Sequence, residues 1–134
     1  MDPLPEALRH FIARAPVCRI ATVRSDGAPH VIPVCPVFEG DTVYVDVGER
    51  SATAEGVRDR GLVTVLIDEY VDDWSQLKAV LLRCRARVVE GEEKDRAWAL
   101  IREKFPQYES VDWTPRLTLA LEAYEWRQWG VSGG

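Results

Sequence analysis

The sequence predicts a mainly β fold, a small barrel of six or so antiparallel strands with peripheral helices, and three observations carry that expectation. Residues 17–47 read as three consecutive strands joined by turns at Ser25-Asp26-Gly27 and Glu39-Gly40-Asp41, and Asp-Gly between apolar runs is a strong hairpin signal. Two long strand-like runs follow, residues 62–70, rich in Val, Ile and Leu, and residues 79–90, which alternate polar and apolar. The overall order of helix, three strands, short helix, two strands, helix and strand lacks the βαβ rhythm of a parallel sheet.

Taken in order, Asp2-Pro3 reads as an N-cap and first helical residue. Leu4, Leu8, Phe11, Ile12 and Ala15 then share one helical face until Pro16 stops the run, so residues 1–16 form a helix covering one end of the sheet. The first strand places Cys18, Ile20 and Thr22 in a largely buried run. The middle strand carries Pro29, Pro33 and Pro36. Proline offers no N–H to a ladder, so this strand's pairing is interrupted, as expected where something other than a neighbouring strand is bound. Its Val31, Val34, Val37 and Phe38 make it apolar on both faces. In the third strand Val43, Val45 and Val47 line one face, Tyr44 and Asp46 the other.

Residues 48–61 (GERSATAEGVRDRG) hold a short helix over about residues 52–60. Arg50, Ser51 and Thr53 stand at its start, where two readings remain open. Backbone N–H groups with a cation and hydroxyls suit an anion such as phosphate; the same residues also suit a solvated connection capped by Ser51 or Thr53. After the strand at 62–70, Val71-Asp72-Asp73-Trp74 is polar and turn-like. In the strand at 79–90, Arg83, Arg85 and Arg87 face one side and Leu82, Cys84, Ala86 and Val88 the other. That arginine stripe reads either as an anion-binding face or as cations paired with carboxylates across strands. A helix over residues 92–105 follows, with Glu92, Glu93 and Asp95 favouring its N-terminal dipole, Trp98, Ile101 and Phe105 on its apolar face, and Pro106 ending it. Residues 107–115 form a loop. Leu117, Leu119, Leu121 and Ala123 alternate along the last strand, Trp126 and Trp129 follow it, and residues 130–134 are a tail.

The 134 residues make one domain, with the barrel over residues 17–129. A net charge of −5 argues against non-specific nucleic-acid binding. No apolar run approaches the roughly 20 residues that span a bilayer, and the N-terminus does not read as a signal peptide. The three cysteines are widely spaced without a CxxC and read as reduced, buried thiols, with the cytoplasm as the expected location. Five tryptophans tilt the expectation towards an oligomer or an aromatic ligand pocket. His10, His30 and the scattered cysteines show no metal-ligand spacing, and no GxSxG, P-loop, HExxH or GxGxxG is present. Residues that advertise no catalyst of their own fit chemistry carried by a bound cofactor.

The stretch CRIATVRSDGAPHVIPVCPVFEGDTVYV resembles the N-terminal half of the pyridoxamine 5′-phosphate oxidase-like flavin-binding split barrels, with their pattern ATxxxDGxPHxxPV and a VY after a glycine turn. The elements DDWxxL and KFPQY resemble the branch that uses the 5-deazaflavin coenzyme F-420. The resemblance implies a six-stranded antiparallel split barrel that forms a homodimer. It implies FMN or the deazaflavin F-420 at the subunit interface, and hydride transfer to or from a small-molecule substrate without an obligatory protein acid or base. The matching positions for the cofactor ring are His30, Val31, Ile32, Pro33 and Val34. Those for the phosphate are Asp46, Val47, Arg50, Ser51 and Thr53, with Trp74 at the rim or approaching from the partner. Two departures stand out: the segment after the VY is about half a dozen residues short, and Cys84 occupies a position where the pattern commonly has glycine. An alternative therefore stands beside the oxidoreductase, a barrel with weakened cofactor binding that serves as a ligand-binding or accessory protein.

Overall fold

A computed structural model describes residues 1–111 and 116–131. Helix α1 (Glu6–Arg14) is followed by β1 (Cys18–Val23), β2 (Pro29–Val34), β3 (Val37–Glu39), β4 (Thr42–Gly48), α2 (Ala52–Arg60), β5 (Leu62–Glu69), β6 (Lys78–Val88), α3 (Gly91–Lys104) and β7 (Arg116–Trp129). Short 3-10 turns occupy Trp74–Gln76 and Pro106–Ser110. The part of the 107–115 loop beyond residue 111 and the end of the expected tail lie outside the described residues.

The strands form one antiparallel sheet in the order β2-β1-β5-β6-β7-β4-β3. It curls into the expected mainly β split barrel, with seven strands where six were expected. The seventh arises because the proline-rich middle strand is two strands. Cys35-Pro36 separates them; β2 pairs with β1 (Ile20 opposite Ile32) while β3 pairs with β4 (Phe38 opposite Val43). These halves sit at opposite ends of the sheet order, so residues 17–47 do not form a simple three-strand meander. A residue before proline avoids helical geometry and the proline itself donates nothing to a ladder, which makes Cys35-Pro36 a natural place to leave one end of the sheet for the other.

Inward-facing residues of β1, β4, β5, β6 and β7 enclose the main core, and Leu8, Phe11 and Ile12 of α1 close it. A second apolar cluster lies on the opposite face of β4 and β7. There Tyr44 and Ala120 are covered by Ala97 and Ile101 of α3 together with Phe105. The strict alternation of β4 thus buries both of its faces. Burying Ile101 fully contributes about 1.5–3 kcal/mol.

Two further expectations are corrected, and the two readings of the arginine stripe are resolved in favour of cross-strand pairing. Asp2 does not cap α1: the N-cap is Pro5, with φ −55° and ψ 145° and no side-chain hydrogen bond. Leu4, preceding Pro5, is held out of helical space, so the helix begins later. The last strand continues through Trp126 to Trp129, paired along β6. The arginine stripe is engaged within the chain: Arg83 reaches Glu125 at 2.7 Å, Arg87 reaches Glu93 and Glu122 at 2.6 and 2.7 Å, and Arg85 stacks on Tyr124. Cys84, at a register slip between β6 and β7, points into the core, where burial raises its thiol pKa to about 12.

Candidate functional site

β2 ends the sheet order, with β1 along one side only. Its side chains alternate: Pro29, Val31 and Pro33 are exposed, while His30, Ile32 and Val34 are half-buried, the last two packed against the core. Val31 is 63% exposed and lies opposite Ala21; Pro33 lies opposite Arg19. The strand therefore presents an apolar ridge at a sheet edge whose prolines cannot complete a ladder.

Beside the C-terminal end of this ridge is a cavity of about 280 Å³, lined by Pro33, Val34, Cys35, Asp46, Phe105, Gln107, Tyr108 and Val111. Asp46 reaches it from the outward face of β4, although its side chain is only 3% exposed. One carboxylate oxygen, Oδ1, accepts the Thr118 hydroxyl at 2.6 Å. The other lies 2.9 Å from Arg116 Nε, an ion-pair contact in which neither atom gains a well-aimed hydrogen bond. Desolvation outweighs the Thr118 hydrogen bond and the Arg116 charge, so the Asp46 pKa is raised. The Arg116 guanidinium is in turn stacked on the Trp98 ring, 3.5 Å from its centroid. On the other side of the cavity, burial raises the Cys35 thiol pKa against the lowering influence of Lys104. Lys104 fastens the end of α3 to the junction of β2 and β3 by donating to the carbonyls of Ala15 and Pro36 at 2.6 and 2.8 Å. Burial lowers the Lys104 pKa.

The residues matched to a phosphate are distributed differently. Ser51 is the N-cap of α2, accepting from the Ala54 amide at 3.1 Å and donating to the Gly48 carbonyl at 2.7 Å. A helix start leaves the amides of Ala52 and Thr53 without partners inside the helix. Arg50 and Ser51 line an open recess of about 470 Å³ with Ser25, Glu49, Glu55, Arg58 and Asp59. Ser25 belongs to the turn that leads into β2, so this recess lies towards the beginning of the ridge. The capping reading of Ser51 is thus realised, while Arg50 is without an ion pair among the described residues. Val47 and Thr53 are buried in the interior, the Thr53 hydroxyl without a hydrogen bond; only their main chain remains to meet an anion.

Trp74 is 73% exposed, and its indole N–H donates to the Tyr70 hydroxyl at 3.2 Å. It lines a third opening, with Tyr70, Leu77 and Trp129. The fold therefore joins Pro33, Val34 and Asp46 around one cavity, sets Arg50 and Ser51 at another recess, and holds Trp74 apart from both. Sequence reasoning missed Cys35, Phe105, Tyr108 and Arg116 as site residues. The KFPQY segment held the signal: an aromatic pair straddling the proline that ends a helix. Among the described residues no group of three or more His, Cys, Asp or Glu side chains could hold a metal ion, and no helix is long and apolar enough to cross a membrane.

Comparison with solved structures finds the same fold in distant proteins. A conserved hypothetical protein from Mycobacterium tuberculosis aligns with a TM-score of 0.80 and 22% identity, covering 94% of this chain and 84% of its own. A heme-binding protein from Mycobacterium smegmatis gives 0.80 and 18%, covering 98% of this chain, which spans only 57% of that protein's length. An FAD-binding protein from Mesorhizobium loti gives 0.73 and 18%, covering 95% of both chains. Comparison with curated protein sequences returns no match. The sequence profile described as Pyridoxamine 5′-phosphate oxidase, by contrast, matches residues 5–128, nearly the whole of the barrel built above, and the chain belongs to that family.

Proposed function

We propose that this chain is the protomer of a homodimeric, flavin-type oxidoreductase that transfers hydride to or from a small organic substrate in the cytoplasm. The observation that carries the reading is the ridge of β2, an apolar, proline-interrupted sheet edge lying between a phosphate-compatible helix start and a half-open apolar cavity. FMN or the deazaflavin F-420 fits this arrangement by its parts. Val31 and Pro33 offer apolar surface to a flat ring, with His30, Ile32 and Val34 fixing the strand behind them. Arg50 and the first amides of α2 offer charge-assisted hydrogen bonds to a phosphate. The DDW and KFPQY elements favour the deazaflavin. When bound, such a cofactor supplies the hydride chemistry itself; the chain's residues bind, orient and keep water from the ring.

The dimer face in this reading is the outward side of β2, β1, β5 and β6, which no helix among the described residues covers. One row across it runs Val31, Ala21, Thr64, Arg83, and the next runs Pro33, Arg19, Leu66, Leu81. A second reading, an accessory barrel with weak cofactor affinity, draws on one observation. The recess at Arg50 contains three carboxylates (Glu49, Glu55, Asp59) against two guanidiniums, a balance that opposes a dianion. The heme-binding neighbour adds heme as a flat cofactor to be compared. The absorbance spectrum of the purified protein, followed by titration with FMN, the deazaflavin and heme, tests the proposal. Saturable micromolar binding of FMN or the deazaflavin is expected; binding of heme alone, or of none, would overturn it in favour of the second reading.

A further inference from the structure

We infer that the open recess beside the β5–β6 connection, walled by Tyr70, Trp74 and Trp129, binds a planar aromatic anion whose charge is met by Lys78. The recess shares no lining residue with the cavity at β2 or with the recess at Arg50, so as a site it does not rest on the flavin reading.

Three observations select the ligand class. The first is aromatic surface that the chain leaves unused. Tyr70, Trp74 and Trp129 are 67%, 73% and 50% exposed, yet all three line one recess of about 520 Å³, a size that suits a small organic ligand. Rings left open in this way offer stacking surface to another flat π system. The second is that the rings are held. Trp74 rides on a turn in which the Asp73 carboxylate accepts the Ser75 amide and hydroxyl at 3.0 and 2.7 Å, and its indole N–H donates to the Tyr70 hydroxyl at 3.2 Å. Trp129 stands opposite Ala79 in the β6–β7 ladder, and Gly130 after it passes so close to the turn that a Cβ there would collide with the Leu77 carbonyl. A ligand therefore meets ring surfaces that need little further ordering. The third is charge. The recess carries Asp68, Glu69 and Lys78. Asp68 is paired with Arg19 at 3.1 Å and Glu69 with Arg14 at 3.4 Å. Lys78 stands opposite Glu69 in the β5–β6 ladder, but the Glu69 carboxylate is engaged by Arg14, and Lys78 has no ion pair among the described residues. Two compensated carboxylates and one uncompensated ammonium leave a positive lining, which favours an anion over a neutral molecule and over a cation.

Isothermal titration of the full chain, without added flavin, with 2-naphthoate, 2-naphthamide and cyclohexanecarboxylate tests this. The amide keeps the ring system and removes the charge; the last probe keeps the charge and removes the aromatic ring. 2-Naphthoate is expected to bind about fivefold tighter than the amide, the worth of a partly exposed ion pair, and tighter than cyclohexanecarboxylate by a similar factor for the stacking. Lys78→Gln should bring naphthoate and naphthamide to equal affinity, and Trp74→Ala should weaken both, with urea midpoints that show the fold retained. Equal affinity of the parent for naphthoate and its amide, or for the two carboxylates, would overturn the inference. So would a preference that survives in Lys78→Gln, unchanged binding to Trp74→Ala, or no binding of any probe. A parent dimer that binds no probe and falls to a monomer in Trp74→Ala would give the rings to a second copy of the chain instead. A parallel FMN titration separates the two claims. Displacement of naphthoate by FMN would overturn this inference, FMN binding beside bound naphthoate supports both readings, and naphthoate binding without any flavin or deazaflavin binding sinks the cofactor reading and leaves this one standing.

Discussion

Glu93 accepts hydrogen bonds from both the Arg87 guanidinium and the Tyr44 hydroxyl, and so ties the start of α3 to β6 and β4. Arg87 first, and Tyr44 second, hold its carboxyl down at about pH 2 against an ordinary value of 4.5. A depressed carboxylate contributes stability that is fully present above its unfolded value and is lost as pH falls through the folded one. This contribution should therefore fade between about pH 4.5 and 2. Asp46 works with the opposite sign: its raised value penalises the ionised fold, and that penalty is relieved on acidification. Urea denaturation of Glu93→Gln across this window should show a shallower acid loss than the parent; an identical slope would remove Glu93 from the acid response. Gly56 offers a second test at the same scale. A Cβ there would stand 3.0 Å from Thr22 Cβ and 3.2 Å from the Val23 carbonyl. The close seating of α2 on β1 thus depends on having no side chain. Gly56→Ala should cost about 1–3 kcal/mol through overpacking, read as a lower urea midpoint at unchanged m-value, and an unchanged midpoint would contradict the seating.

Helix α2 and strand β2 are the elements on which the site reading turns. Ser51→Ala should cost about 1 kcal/mol, the usual loss for an N-cap, while Arg50→Ala should leave stability as it is because Arg50 has no ion pair to lose among the described residues. Equal thermal shifts in the two variants would contradict the division of labour between cap and cation. Both residues were legible in the sequence, since an N-cap and the residue before it follow from local rules. The two-part middle strand was only half legible. Pro29, Pro33 and Pro36 announce that pairing is broken, but no local rule says that β2 goes to β1 and β3 to β4 at the far end of the sheet. Long-range pairing follows from the closure of the whole barrel. For the same reason Asp46 was visible as a residue facing away from the core, while its burial, its contact with Arg116 and its place in the cavity depend on β7 arriving beside β4. Thr53 illustrates the converse: the N-terminal hydroxyl pattern was read correctly as a helix start, yet the helix turns that hydroxyl inward.

Seven strands in one curled sheet leave most edges paired and most apolar residues inside, so what remains outside acquires meaning for the molecule as a whole. Val31, Tyr70, Trp74 and Trp129 are between half and three-quarters exposed, and three of them, Tyr70, Trp74 and Trp129, line one opening. Light scattering coupled to size exclusion should give twice the chain mass of 15.2 kDa. A monomer at micromolar concentration would remove the interface on which the cofactor reading places its ring. In the proposed function, β2 and the start of α2 together hold a flavin-type cofactor by its ring and its phosphate. This arrangement is tested most directly by comparing FMN with riboflavin on the parent chain and on Arg50→Ala, following flavin fluorescence. FMN is expected to bind the parent about ten- to a hundredfold tighter than riboflavin, the worth of a charge-assisted phosphate contact, and Arg50→Ala to remove most of that difference. Equal affinity of the parent for the two flavins, or a difference that survives in Arg50→Ala, would contradict it.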